Sequence, residues 1–180
     1  MIAAVVETAR LRLRVPDPSD RPALHAMWAD PRVMADLGPV KDIAASDETL
    51  ARHDSFRHER LGFWVVERRA DGAVIGFCGL KRGNPGSPIE GVLEIGWMLA
   101  VPYWGQGFAK EAAAASIDWA WANLAEDRIV AITAARNTKS RMLMERLGMT
   151  RVIGGDFDHP SFAEGDPLRR TVLYEILRPA

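Results

Sequence analysis

Val92-Leu-Glu-Ile-Gly-Trp-Met-Leu-Ala-Val-Pro-Tyr-Trp-Gly-Gln-Gly-Phe-Ala-Lys-Glu-Ala112 decides how this chain folds. Val92 to Val101 are apolar and almost unbroken, the pattern of a buried strand, and Pro102 stops it. Tyr103 to Ala109 is a turn of small residues. From Ala109 to Asn123 the chain is alanine-rich, with Ala113, Ile117, Ala120 and Leu124 recurring on one helical face. The turn therefore opens a helix, where unpaired amides and the helix dipole favour an anion. Gly105 and Gly107 carry no Cβ, so a phosphate can approach their backbone. Lys110 adds positive charge just inside the helix. Together the amides of Gly105, Gln106, Gly107, Phe108 and Ala109 make a cradle for a pyrophosphate.

Outward from this stretch the chain alternates strands and helices. Leu11 to Val15 reads as a half-exposed strand whose arginines form a solvated face, ended by Pro16. Asp17-Pro-Ser-Asp can cap a helix through Ala23 to Ala29, broken at Asp30-Pro31. A short helix is expected over Arg32 to Lys41, and another opening at Ser46, with Leu50, Phe56 and Leu61 inward. Phe63 to Arg68 and Ala73 to Leu80 form a hairpin around Asp71-Gly72. After the alanine-rich helix come a strand at Arg128 to Ala134 and a helix at Asn137 to Leu147, ended by Gly148. Strands at Met149 to Ile153 and Thr171 to Leu177 close the chain. Strand, crossover helix and strand around the central stretch imply one parallel pair. The fold class expected is α/β (α+β). It is a single mixed, mostly antiparallel sheet of about seven strands with helices on both faces, one domain over residues 5–178.

Composition narrows the function classes. The net charge of -1 gives no field for nucleic acid or an anionic membrane. One cysteine excludes an internal disulfide and fits a reducing, cytoplasmic setting. The apolar run Ile2 to Val6 is too short for a signal peptide. No His or Cys cluster supports metal ligation by Asp156, Asp158 and His159, so no metal is expected. A homo-oligomer is left open.

Glu94 is the conspicuous residue of the central strand. Alternation places Val92, Glu94, Gly96 and Met98 on one face and Leu93, Ile95, Trp97 and Leu99 on the other. A carboxylate there is costly unless paired or hydrated, and burial would raise its pKa. Gly96 beside it leaves room for substrate or water. Glu94 is thus either a base or a structural partner of a basic residue on a neighbouring strand. Cys78, Trp119 and Trp121 read as packing residues.

Trp104-Gly-Gln-Gly-Phe-Ala109 resembles the Gln/Arg-x-x-Gly-x-Gly/Ala turn of the acetyl-CoA-dependent N-acyltransferases, the GNAT superfamily. Trp104 departs from the Gln or Arg of its first position. That departure is common in the RimJ/RimL-like branch, the ribosomal-protein N-terminal acetyltransferases. Glu7-Thr-Ala-Arg-Leu-Arg-Leu-Arg14 and Asn137-Thr-Lys-Ser-Arg-Met-Leu-Met-Glu-Arg-Leu-Gly-Met149 are similar to that branch's opening strand and second cofactor helix. Two motifs in the right order are more specific than one glycine-rich turn.

The resemblance implies a GNAT fold and acetyl transfer from acetyl-CoA to an amine. It puts the cofactor on Trp104 to Lys110, on a splayed strand end at Met98, Leu99 and Ala100, and on Asn137 and Ser140. It makes Glu94 a general base, directly or through water. Ser140 becomes a group near the sulfur, since Met144 stands where many members carry Tyr; the alternative is Ser140 bonding back to its own helix. The Ala23–Arg60 region and the Asp156–Pro160 loop would line the acceptor cleft, with Asp158 and His159 orienting the amine or merely tying the loop down. The acceptor stays open between a protein or peptide α-amine and a small amine such as an antibiotic or polyamine. A non-catalytic acyl-CoA-binding protein and a dinucleotide-binding protein are the alternatives. For the latter, the third glycine is missing, with Lys110 in its place.

Overall fold

In the computed structural model, which describes residues 4–180, every strand joins one mixed sheet in the order β1-β2-β3-β4-β5-β6-β9-β7, with β8 also on β9. Of the apolar run Ile2 to Val6, the first two residues lie outside the described residues. The strands are β1 (Ala4–Glu7), β2 (Leu11–Arg14), β3 (Gly62–Arg68), β4 (Val74–Arg82), β5 (Leu93–Leu99), β6 (Arg128–Ala134), β7 (Thr150–Arg151), β8 (Phe157–Asp158) and β9 (Arg170–Leu177). The helices are α1 (Arg21–Ala29), α2 (Pro31–Met34), α3 (Ile43–Asp54), α4 (Phe108–Asn123) and α5 (Thr138–Arg146). The sheet has seven strands of four or more residues. β7 and β8 are two-residue pairings that the alternation pattern is too short to register.

Strand alternation sorts the side chains into two cores. Leu93, Ile95 and Leu99 of β5 pack with Phe108, Ala112, Ala113, Ile117 and Ala120 of α4. Met98, Val65 and Phe77 pack instead with Leu24, Met27, Trp28 and Leu50 of α1 and α3. The small side chains of α4 let it lie close on the sheet. Cys78 and Trp64 belong to the α4 core, Trp64 edge-on to Trp119. Cys78 is fully buried, and burial pushes its thiol up to about 12, which makes it inert packing.

Three local expectations are corrected. Arg14 is not on a solvated face. It is buried and forks onto Asp20 at 2.7 and 2.8 Å, with Nε on Glu67 at 2.8 Å, because the turn before α1 and the neighbouring strand β3 bring both carboxylates to it. α3 starts at Ile43, capped by Asp42, whose side chain accepts from the Ala45 amide at 2.8 Å. Ser46 is therefore inside the helix and buried. Pro31 does not merely break α1; it opens α2, with Asp30 as its cap.

The feature that positions the site is the β5–β6 pair. It is parallel and holds at a single register position, Glu94 against Val130. Beyond Glu94 the two strands part. β5 stays fully paired with β4, and β6 with β9.

Candidate active site

The turn after β5 forms the first wall. Gly107 caps α4 with φ of 80°, and Gly105 has φ of 72°. Among the described residues, none of the amides from Gly105 to Lys110 donates to a protein acceptor; the first helical bond is Glu111 N–H to Gly107 at 3.1 Å. A left-handed glycine pair followed by a helix start points these donors into one concavity, an anion nest. A Cβ on Gly105 would meet nothing within 4 Å, so the space over the nest is open. The observed geometry thus suits a pyrophosphate.

Two residues without a role in the sequence reasoning brace this turn. Glu111, in the first turn of α4, accepts from Thr8 Oγ1 at 2.5 Å, the Arg10 amide at 3.0 Å and Arg10 Nε at 2.6 Å. Arg10 also donates to the Gln106 carbonyl at 3.0 Å and lies over the Phe108 ring at 4.4 Å. Glu111 lies within the stretch that carries the glycine turn, but Arg10 does not, and only the fold brings the β1–β2 turn to it.

The parted strands form the second wall. Ala100 N–H donates to the Ile75 carbonyl at 2.9 Å, which makes Leu99 and Gly76 a non-hydrogen-bonded pair of the β4–β5 ladder. By alternation, the backbone groups of Trp97 and Leu99 face the gap toward β6, while those of Met98 are spent on Phe77. The Leu99 carbonyl is already taken by Trp104 Nε1 at 2.8 Å, and Lys139 Nζ sits 4.4 Å over the Trp104 ring. The free edge is therefore Trp97 and the Leu99 amide, a correction to the expected Met98–Ala100. Trp104 clips the loop to the strand.

Asn137 and Ser140 sit across the gap at the start of α5. Asn137 Oδ1 caps the helix by accepting the Ser140 amide at 3.1 Å. Its Nδ2 donates to Thr133 Oγ1 at 2.9 Å and to Ser140 Oγ at 3.1 Å. Ser140 Oγ is thus an acceptor toward Asn137 rather than bonded back to its own helix. Its hydroxyl proton has no acceptor among the described residues. Met144, one turn on, is buried. Tyr174 bonds Glu145 and Tyr103 packs by Phe108, so neither tyrosine stands in for it.

Between these walls and α1–α3 lies a cavity of about 260 Å³. Glu94, Gly96, Trp97 and Met98 line it from β5, Ser140 and Met144 from α5, and Trp28, Lys41, Thr49, Arg52 and His53 from the helical side. Glu94 is 7% exposed and its Oε2 lies 2.5 Å from Lys81 Nζ, directly across the ladder. Burial pushes the Glu94 carboxyl above its ordinary range, against the opposing pull of Lys81 and Arg52. It has both the partner of a structural acid and the raised pKa and cavity exposure of a base. Gly96 does not leave room. A Cβ there would fall 2.5 Å from the Phe63 ring, which fills the space and stacks on His53 at 4.3 Å.

His53 escaped sequence reasoning, because a lone histidine in an unpatterned helix carries no signal. It is buried, and burial followed by the charges of Arg52, Lys81, Arg57 and Lys41 holds it well below the ordinary imidazole value. Its Nδ1 accepts the Phe63 amide at 3.3 Å, so the neutral ring carries its proton on Nε2.

Asp158 and His159 do not reach this cavity. The Asp158 side chain is 53% exposed and pairs with Arg169 at 3.5 Å and Arg170 at 3.7 Å. His159 lies between Phe157 and Phe162 and accepts from the Ser161 amide at 3.2 Å. Pairing of β8 with β9 anchors this loop to the sheet, and burial followed by the charge of Lys81, on the cavity wall, lowers the His159 pKa. Among the described residues, no three His, Cys, Asp or Glu side chains gather as a metal site, and no helix is long and apolar enough to cross a membrane.

Residues 10–150 match the family model described as Acetyltransferase (GNAT) domain. The chain belongs to the GNAT acetyltransferase family. Its sequence is 30% identical over 148 residues to the uncharacterized N-acetyltransferase p20 of Bacillus licheniformis, covering 80% of this chain and 81% of that protein. The uncharacterized protein YkkB of Bacillus subtilis is 30% identical over 146 residues, 79% of this chain and 83% of the relative. An acetyltransferase from Agrobacterium tumefaciens superposes with a TM-score of 0.78 at 27% identity, over 98% of this chain and 95% of that one. Two more distant structures share the GNAT fold. The ribosomal L7/L12 α-N-protein acetyltransferase RimL, in complex with coenzyme A, has a TM-score of 0.77 at 18% identity, covering 97% of this chain and 98% of its own. The spermidine N-acetyltransferase of Vibrio cholerae, with CoA and spermine, has 0.73 at 20% identity, covering 95% and 97%. For a GNAT acetyltransferase, the nest of amides and the parted strands are where the chain's own geometry fits a coenzyme A.

Proposed function

We propose that this protein transfers the acetyl group of acetyl-CoA to a primary amine by direct attack, with Glu94 as general base. The observation that carries this is the buried, elevated Glu94 carboxylate opening into the same cavity as Ser140, at the mouth of the β5–β6 gap. Acetyl-CoA, when bound, supplies an acyl carbon activated as a thioester. The amides of residues 105–110 and the Lys110 ammonium hold its pyrophosphate; the Trp97 and Leu99 edge holds its arm. Glu94 takes the proton from the attacking amine, directly or through a water, and a raised pKa makes it a better acceptor near neutral pH. The Ser140 hydroxyl, pinned by Asn137 with its proton free, donates toward the departing sulfur. With one buried cysteine, the setting we infer is a reducing cytoplasm.

For the acceptor we favour an α-amine of a protein or peptide, as in the RimJ/RimL-like branch. The support is the second-helix motif, with Ser140 present and Met144 in place of Tyr, and the chemistry of a single base. An α-amine has a pKa of about 7.7–8.0 against about 10.4 for lysine, so Glu94 removes its proton more readily. A small amine is the second reading, favoured by a cavity below the roughly 300–1,000 Å³ of drug-sized pockets. The test is a mass-spectrometric screen of a peptide library and a small-amine library with acetyl-CoA. N-acetylated products in either support transfer. Acetyl-CoA binding without any product makes the chain a non-catalytic binder.

A further inference from the structure

The charges on the acceptor side of the cavity do not balance. Lys81 and Glu94 neutralise each other at 2.5 Å, and Lys81 also reaches Asn84 Oδ1 at 3.3 Å. Two cations remain on the wall, Lys41 and Arg52. The Lys41 ammonium is half-buried and donates only to a neutral group, Thr49 Oγ1, at 2.9 Å. Burial, followed by the charge of Arg52, lowers its pKa; Glu48 opposes this from outside the cavity wall. The Arg52 guanidinium has no hydrogen bond, ion pair or ring contact among the described residues, although nearly every other arginine here has one. Thr49, Arg52 and His53 share one face of α3 by their i, i+3 and i+4 spacing, so the face turned to the cavity is the cationic one. His53 adds a neutral Nε2–H donor.

We infer that the acceptor is an amine carrying a carboxylate, whose anionic group docks on Lys41 and Arg52 while its amine faces Glu94. A half-buried ammonium with only a neutral partner, and near it a more exposed guanidinium with no hydrogen bond or ion pair among the described residues, are an arrangement that binds a carboxylate by charge-assisted hydrogen bonds, and Arg presents a planar fork for it. The same field disfavours a protonated polyamine and helps the incoming amine shed its proton. The carboxylate can belong to a free amino acid or to an acidic residue at a peptide N-terminus. The inference rests on the transferase reading for the position of the amine. The anion site itself does not.

The test separates the two by using N-acetylated product analogues, which need no turnover. Trp28 and Trp97 line the cavity, so their fluorescence reports occupancy. N-acetylglutamate and an N-acetylglutamyl-tetraalanine amide are titrated against their glutamine counterparts, with N-acetylspermidine as the cationic probe and coenzyme A present throughout. At least one acidic probe is expected to bind roughly tenfold or more tightly than its neutral counterpart, the ratio one charge-assisted hydrogen bond gives. Preference for the free amino acid or for the peptide identifies the source of the carboxylate. R52Q and K41Q should each shrink that preference with coenzyme A affinity unchanged by calorimetry, and Arg52 is exposed enough that its loss leaves the fold intact. Equal binding of acidic and neutral probes, tightest binding of N-acetylspermidine, or a preference surviving in R52Q overturns the inference. Acidic probes that bind as expected while no free amine releases thiol from acetyl-CoA leave the anion site standing and remove the transferase reading.

Discussion

Replacing Glu94 by glutamine tests whether its carboxylate is a base or only the partner of Lys81. Glu94 and Lys81 are 7% and 8% exposed. Glutamine keeps the shape and an acceptor oxygen, but it leaves the ammonium buried against a neutral amide. Breaking a buried pair from one side costs about 3–5 kcal/mol. The lower end applies here, because Lys81 Nζ keeps the Arg82 carbonyl and Asn84 Oδ1, each at 3.3 Å. With an m-value of about 1–3 kcal/mol/M, the urea midpoint falls by about 1–3 M. If Glu94 is the base, kcat falls by roughly 10²–10⁴ as well. Stability and turnover then drop together, so the single variant is ambiguous. The double variant Lys81→Met, Glu94→Gln resolves it. It removes the orphaned charge, so the midpoint returns most of the way, while turnover stays low. The assay is thiol release from acetyl-CoA with the best acceptor from the amine screen, measured across pH. In wild type kcat/KM should rise as Glu94 loses its proton, above the ordinary carboxylate range; both variants should lack that limb. A double variant that turns over within a few-fold of wild type refutes the base assignment and leaves Glu94 as a structural ion-pair partner.

Gly107→Ala forces an L-residue to φ of 80° at a cost of about 1–2 kcal/mol; if the strain is relieved by moving the amides, calorimetry should show acetyl-CoA affinity down about 5- to 30-fold, and an unchanged affinity removes the cradle. Ser140→Ala should lower kcat more than acetyl-CoA affinity, whereas Asn137→Ala, which also loses the helix cap, should in addition destabilise the fold by about 1 kcal/mol in urea melts. His53 is held well below the ordinary 6.5 by burial, so the unfolded chain binds a proton that the folded chain refuses. Its contribution to stability is complete above pH 6.5 and is lost as pH falls toward the folded value, at about 1.4 kcal/mol per unit. Glu94, with a raised pKa, gives the opposite slope above 4.5. The wild-type minus His53→Gln difference in urea stability therefore isolates the histidine, and a flat difference over the first unit below pH 6.5 contradicts its burial as a neutral ring.

The order of strands and helices around the glycine turn was legible because it rests on local signals. The β5 alternation separates Glu94 and Met98 from Leu93 and Ile95, and the same two faces appear as two cores. Gly105 and Gly107 before an alanine-rich helix favour a left-handed turn with free amides, so the nest was legible locally. Asn137 as a helix cap and Cys78 as core follow from the same short-range rules. What the sequence could not decide depends on residues far apart in the chain. The identity of the Glu94 partner, Lys81, is set by the β4–β5 register, which no single strand encodes. The solvated face expected for Arg14 failed because Asp20 and Glu67 converge on it only once β2 is flanked by β3 and the turn before α1. Asp158 and His159 were expected near the amine because the cofactor would occupy the other side of the splayed sheet. The two-residue β8 pairing, invisible as a pattern, holds their loop on β9, and neither residue lines the cavity. Arg10 lies in a quoted motif but with no role assigned to it, and His53, Lys41 and Arg52 sit in segments without motif signal. They acquire meaning through where α3 and the β1–β2 turn dock, and docking is decided by burial of apolar faces rather than by the polar residues carried along. The family, the sheet and the nest of amides thus belong to the sequence, and the resemblance implied a splayed strand end; the partner of Glu94 and the charge of the cavity wall belong to the tertiary structure, because each is a sum over side chains that only packing brings together.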